Sequence, residues 1–449
     1  MSSGKLVLKG KVKLISPLLI GGGESDESDI DVIKDKKGNP FIPATSFIGV
    51  LRHYLEPHID KAKLNNFWGY SLKKESLGSS VSCSDLALDE EQAKVIIRDG
   101  VRIDSKKGMA KDKGKYDYEV IERGVSFKLR MTANYNDEVT KEFAKRMFGT
   151  IKSLLTERRI SLGAKSNNGL GKVELSDSQI YDYDFSNKKN VLAWLTNTDG
   201  SKMNETDKFE IKDKSFVIDS FFDLKTSLIV KSYPSDPNSP DSINIKSNGQ
   251  NVLPGTSIKG AIRARAERIL KTKFDDDKAN LILNDLFGFV EDDKDRDSKA
   301  IRSRVKVEEY LIPPGKFVEE IQSRIKIDRF TGGTIAGALF DSMPLFRKEK
   351  SGKEDVINIK IILKDAKDYE KGLMLLVLKD LWTGDLAIGG EKSVGRGVLE
   401  GVHASIDDGN ALKIEINDTL INDPKEQSNR DTLQEFVEAL NGEVENGKK

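Results

Sequence analysis

The chain is short of the residues on which much protein chemistry depends. Of its 449 residues only Cys83 is a cysteine, so no disulfide framework exists, and the only histidines are His53, His58 and His403. A structural zinc site needs four Cys/His ligands at close spacing, which these scattered residues cannot supply. Charge of one sign is missing too: 73 basic against 73 acidic side chains leave a formal net charge of zero. The total therefore gives no sign of a nucleic-acid partner, and the question passes to where the charges lie. The longest apolar run, Leu373 to Leu378, is far below the ~20 residues of a membrane span. The opening MSSGKLVLKG lacks the apolar core of a secretion signal. These absences predict a soluble, cytosolic protein with no membrane partner. With 37% hydrophobic and 33% charged residues the chain is polar, yet too apolar and too balanced for disorder. Its length predicts about two to four domains.

What the chain does have is a likeness to itself. KLVLKGKVKLISPLLIGG alternates apolar and polar residues, the period of a half-buried strand, and FVIDSFFDLKTSLIV repeats it about 210 residues later. PATSFIGVLRHYL from Pro43 returns as PGTSIKGAIRARA from Pro254, and FWGY from Phe67 returns as LFGF from Leu286. RIDSKKGMA from Arg102 returns as KIDRFTGGT from Lys326, and GAKSNNGLG from Gly163 as GGEKSVGRG from Gly389. The offsets rise in order through 211, 219, 224 and 226, as insertions in the second copy require. The reading is a tandem duplication: residues 1–205, residues 206–415, and a tail over 416–449. The polar stretch Asn197 to Lys208 reads as a linker. In the tail, Asp431 with Gln434 forms a capping-box pattern ahead of a helix that Asn441-Gly442 should stop. That helix either packs on its own domain or docks to a partner.

Each copy begins and ends in strands with helices between. Thr256 and Ser257 read as N-caps of a helix whose apolar face is Ile258, Ala261, Ile262 and Ile269. The pattern predicts an α+β fold, with two tandem ferredoxin-like (βαββαβ, RRM-like) domains as the arrangement expected.

Three residue groups carry chemistry. The loops Gly169-Leu170-Gly171 and Gly395-Arg396-Gly397 let backbone approach a phosphate, although either loop taken alone reads first as a tight β-turn. Neither is a Walker or dinucleotide motif. Basic residues cluster in KGAIRARAERILKTK and KAIRSRVK, separated by acidic blocks between Asp275 and Asp297; the segregation favours one face for phosphates over a merely solvated helix. Carboxylates gather at Glu24, Asp26, Glu27, Asp29 and Asp31, and again at Asp236 and Asp241; beside a phosphate surface they could hold a divalent cation or polarise a nucleophile.

Taken together, IPATSFIGVLR and LPGTSIKGAIR, LFGF, the KIDR segment and the terminal glycine loops resemble the RAMP superfamily of CRISPR-associated proteins. Each copy looks like the guide-RNA-binding backbone subunit of a type III effector complex, and the whole like a double-RAMP fusion of a type III-D-like system. The resemblance implies RNA-recognition-like palms carrying thumb hairpins around Asp104 to Tyr118 and Asp328 to Phe340, with Met109, Phe330 and Ile335 as wedges between bases. It implies that Ser46 and Arg52 in copy one grip guide phosphates, as do Ser257, Lys259 and Arg263 in copy two with the glycine loops Gly169, Gly171, Gly395, Arg396 and Gly397. It implies metal-dependent cleavage of target RNA at Asp29, with Asp31 and Asp26 as alternatives, and at Asp241, with Asp236 as alternative. The same two aspartates would be the ligands of a divalent cation, Mg²⁺ or Mn²⁺. The partners implied are a CRISPR guide RNA, a target RNA and other type III subunits.

Copy one departs from copy two in having Ile48 for Lys259 and Leu170 for Arg396, which predicts a weaker phosphate grip. Copy two has Lys231-Ser232-Tyr233 where copy one has Gly21 to Gly23, so one copy could be only a binder. Two other readings stay open: a non-catalytic scaffold that holds RNA and neighbouring subunits, and a metal- or polysaccharide-binding α+β protein unrelated to RNA.

Overall fold

The computed structural model describes every residue except 1–2, 25–27, 72–74, 105–106, 205–206, 235, 237, 291–299, 349–355, 411, 418–425 and 447–449. The chain divides into two units, residues 1–166 with 170–212, and residues 167–169 with 213–449. Among the described residues no helix is long and apolar enough to cross a membrane.

In the first unit, strand β1 (Gly4–Leu14) lies at the centre of a five-stranded sheet. Its unbroken alternation turns Leu6, Leu8, Val12 and Leu14 into the core and the lysines outward, and against one neighbouring strand the register shifts between Lys9 and Lys11, where that neighbour carries the extra residue. Antiparallel partners on one side are β5 (Ser126–Tyr135) and then β2 (Val81–Cys83); on the other are β6 (Val173–Asp184) and then β7 (Ser201–Met203). Helices α1 (Ala44–Leu55), α2 (Lys61–Trp68) and α3 (Glu138–Thr156) pack Phe47, Leu51, Leu64, Phe67, Met147 and Phe148 into the same core, and a short helix α4 (Lys188–Leu195) lies between β6 and β7 in the chain. The hairpin β3 (Val95–Ile103) and β4 (Ala110–Ile121) forms a sheet of its own.

The second unit repeats this plan. Strand β8 (Phe216–Leu224), alternating strictly between buried and half-buried residues, is flanked by β12 (Ile357–Leu363) and β9 (Val305–Val307) on one side and by β13 (Leu399–Asp407) and β14 (Lys413–Ile416) on the other. All four pairings are antiparallel. Helices α5 (Gly255–Lys273), α6 (Asp276–Phe287) and α7 (Asp368–Trp382) cover its core. Its hairpin is β10 (Gln322–Ile327) with β11 (Thr334–Met343).

Three local expectations are corrected. Thr256 and Ser257 are not N-caps: the cap of α5 is Pro254, as Pro43 is for α1, and neither helix has a side-chain cap. Proline's fixed φ with extended ψ already suits the cap position, and the Pro254 carbonyl takes the Ser257 and Ile258 N–H groups at 3.0 and 3.2 Å. The segment read as a linker contributes β7, which pairs with the otherwise open edge of β6. Helix α8 (Gln427–Asn446) begins before Asp431 and runs through Asn441-Gly442. Leu433, Phe436, Val437 and Leu440 pack it on the core of the second unit, which outweighs the ~1 kcal/mol that an interior glycine costs. The contact is close: a Cβ on Gly372 would lie 2.0 Å from the Phe436 carbonyl oxygen.

Candidate nucleic-acid interface and cleavage site

In both units the acidic loop returns to the base of the hairpin. Ile30 bridges Tyr118 in parallel, and Ser242-Ile243 pairs in parallel with Ser342-Met343. The residue just before each bridge is an aspartate. Asp29 Oδ2 accepts a hydrogen bond from the Asp117 backbone N–H at 2.9 Å, and Asp241 Oδ2 accepts one from Asp341 at 2.8 Å. Each carboxylate thus stands in for the next carbonyl of a strand, and both remain exposed. The missing glycines of copy two do not alter this geometry.

The alternatives sit differently. Asp31 accepts from the Ser28 hydroxyl at 2.7 Å within a short strand, Asp236 caps a turn through the Asn238 N–H at 2.9 Å, and Asp26 lies outside the described residues.

Sequence reading missed the partners Asp117 and Asp341, although both lie at the offset of 224 already set by the RID and KID motifs. In each, Oδ1 is shielded from solvent and has no hydrogen-bond partner. Desolvation, then the neighbouring Asp99 carboxylate, raises the pKa of the Asp117 carboxyl. Asp99 faces Asp117 across the hairpin, where the second unit has Ser323 opposite Asp341.

The hairpin tips also correspond. Asp104 Oδ1 accepts from the Lys107 N–H, and Asp328 Oδ1 from the Phe330 and Thr331 N–H groups, at 2.8–2.9 Å. Met109 and Phe330 stand out into solvent beside these turns and Ile335 is partly exposed, while Tyr118 is buried at the hairpin base.

The predicted phosphate grips are placed less openly. Ser46 and Ser257 are half-buried in the first turns of their helices. Arg52 donates to the Gly69 carbonyl at 3.1 Å and Arg263 to the Gly288 carbonyl at 3.3 Å, the same tie in both copies. Lys259 is 9% exposed and donates to the Ser303 hydroxyl at 2.7 Å; burial first, then the Arg263 charge, pulls its pKa to about 8. Much of the basic cluster is likewise engaged internally: Arg265 with Asp380, Lys271 with Glu267, and Arg304 with Glu370 and Asp285.

Gly171 and Gly397 have φ of 72° and 77°, and in each a Cβ would fall 1.8 Å from a carbonyl oxygen, of Leu162 or of Ile388. Gly169 and Gly395 are also left-handed. Arg396 is buried, bonded to Glu391, Ser227 and Gln322 at 2.8, 2.8 and 2.6 Å; its counterpart Leu170 packs on Leu19, Tyr118 and Val120. A groove of about 530 Å³ opens beside Ser227, Gln322, Arg324 and Arg396.

The RAMP superfamily model matches residues 11–174 and again 221–400. Among curated proteins the chain is similar to the CRISPR system Cms endoribonuclease Csm3 of Methanocaldococcus jannaschii, 26% identical over 205 residues that cover 39% of this chain and 81% of the relative. With two matched regions in tandem that together span more than half of its length, the chain belongs to the RAMP superfamily.

Proposed function

We propose that the chain is a double backbone unit of a type III CRISPR ribonucleoprotein, binding guide RNA and cutting complementary target RNA at Asp29 and Asp241. The relative's name, an endoribonuclease of a CRISPR system, supports the class of reaction. The strand order in each unit, with a helix after the first strand and another after the third, supports a ferredoxin-like reading of both domains, the hairpins being their thumbs.

The observation that carries the proposal is the repeated pair Asp29–Asp117 and Asp241–Asp341 at the foot of a protruding hairpin. An apolar hairpin tip inserted between target bases, Met109 in one unit and Phe330 in the other, would unstack one nucleotide. That frees its ribose to bring the 2′-oxygen in line with the adjacent phosphorus. The 2′-O–P bond forms, the P–O5′ bond breaks, the leaving O5′ takes a proton from water, and the products carry a 2′,3′-cyclic phosphate and a 5′-hydroxyl. Asp29 or Asp241 would take the 2′-hydroxyl proton or orient that hydroxyl.

A divalent cation suits the donors present: the orphaned Oδ1 of Asp117 or Asp341 beside an exposed carboxylate offers two oxygens, and Mg²⁺ commonly takes one or two carboxylates with RNA phosphate and water completing its shell. Such an ion, Mg²⁺ or Mn²⁺, would stabilise charge on the phosphate. A second reading, a non-catalytic scaffold in one or both copies, is favoured by a different observation: Oδ2 of Asp29 and of Asp241 is already committed to a backbone N–H, a purely structural use of the carboxylate. Mapping cleavage of a guide-matched RNA by the assembled complex, with Asp29→Ala and Asp241→Ala singly and together, separates the two. Loss of one distinct product per substitution supports cleavage here; retention of every product in the double variant assigns the cutting elsewhere.

A further inference from the structure

We infer that Lys165 and Glu391 are positioning residues that latch each glycine-rich loop to its hairpin, so that loop and hairpin keep a set relation. The inference rests on the guide-RNA reading for its consequence, not for its geometry.

The two residues occupy equivalent positions, 226 apart, within GAKSNNGLG and GGEKSVGRG. Both are held in the left-handed region, at φ 55° and 56°. A side chain is strained there and glycine is not, and glycine is abundant in these loops, so each side chain must do something glycine cannot.

What each does is reach the hairpin. Lys165 Nζ donates to the Tyr116 hydroxyl at 2.9 Å and lies 4.3 and 3.9 Å from the Tyr116 and Tyr118 ring centroids, both rings borne by β4. Glu391 Oε2 accepts from Arg324 Nη1 of β10 at 2.9 Å and from Arg396 Nε at 2.8 Å, while Lys231 pairs with Oε1 at 3.0 Å. Arg396 continues the tie to Gln322 of the same strand.

The chemistry is inverted while the destination is kept. In copy one the latch is a cation on aromatic rings, and Gly100 opposite Tyr116 leaves room for the ring, since a Cβ there would lie 2.3 Å from it. In copy two the position opposite Phe340 holds Arg324, and the latch is an anion among three cations. Two unrelated solutions at one strained position argue that the connection itself matters. If the glycine loop follows the guide backbone and the hairpin divides the bases, the latch sets where along the RNA the wedge falls.

Hydrogen–deuterium exchange on the full chain tests this with Lys165→Gly and Lys165→Arg. Lys165→Gly removes the latch and relieves the strain, so the melting midpoint should hold or rise while amides of residues 95–103 and 110–121 exchange on the order of fivefold faster. Lys165→Arg, which keeps a cation on the rings, should restore protection. Unchanged hairpin exchange in Lys165→Gly, or faster exchange throughout the unit with a lower midpoint, overturns the inference. Glu391→Gln, which retains an acceptor but not the charge, should loosen residues 322–343 in the same way, and no change there also counts against it. In the assembled complex Lys165→Gly should spread the cleavage positions of one product. If wild type cuts nothing, the RNA-cleavage reading fails while the exchange result still stands.

Discussion

Asp29 accepts the backbone N–H of Asp117 through one carboxylate oxygen, at 2.9 Å, and leaves the other free at the surface. Asp241 repeats the arrangement with Asp341. The bond separates a structural role from a chemical one. Asparagine at either position keeps an oxygen for the N–H but loses the charge; alanine loses both. Asp29→Asn and Asp241→Asn should leave the melting midpoint unchanged and abolish one cleavage product each. The alanine variants should add a stability loss of ~1 kcal/mol, read by denaturant unfolding. Guide-RNA binding should survive in all four.

Lys259 gives a pH signature. Its folded pKa of about 8 lies below the ordinary value of 10.5, so between these values the unfolded chain binds more protons. Folding therefore carries the cost of a buried ammonium below pH 8, and stability recovers as pH rises from about 8 toward 10.5. The cost is on the order of 3 kcal/mol. Lys259→Met should be more stable than wild type at pH 7 and should lose that rise, as chemical denaturation at pH 7 and 9.5 would show. If a guide phosphate sits at Lys259, the same substitution should weaken RNA binding.

The glycine loops predict a graded series. Gly171→Ala and Gly397→Ala each drive a methyl group into a carbonyl oxygen and should give little soluble, folded protein. Gly395→Ala, at φ 84° but with nothing within 4 Å of the new Cβ, should cost only about 1–2 kcal/mol. Expression yield and thermal midpoint distinguish them.

Binding of RNA should fall steeply as salt rises, because phosphate contacts release counterions. Phe330→Ala should lower target affinity by ~1–3 kcal/mol without changing the salt slope, since stacking releases none. Measuring affinity at several salt concentrations tests both points.

The duplication, the alternating strands and the special glycines were legible in the sequence because each is a local property. Strand period, turn geometry and positive φ depend on residues within a few positions of one another. The ordered offsets set the two hairpin tips against each other, and the family resemblance pointed to Asp29 and Asp241, whose separation of 212 fits those offsets. Where neighbours in space set the outcome, local reading failed. Gly442 looks like a stop, yet packing of Phe436 and Leu440 carries α8 through it. Arg396 reads from the sequence as a phosphate ligand, and its three internal partners are visible only in the structure.

By itself, then, the sequence determined that one module is used twice and which residues of the two copies correspond. Only the tertiary structure decided what those residues touch. Asp29 meets Asp117 across 88 residues and Asp241 meets Asp341 across 100. Such pairs exist only once a loop has been laid alongside a distant hairpin. The free energy that puts it there is the burial of the two cores, to which the aspartates contribute little.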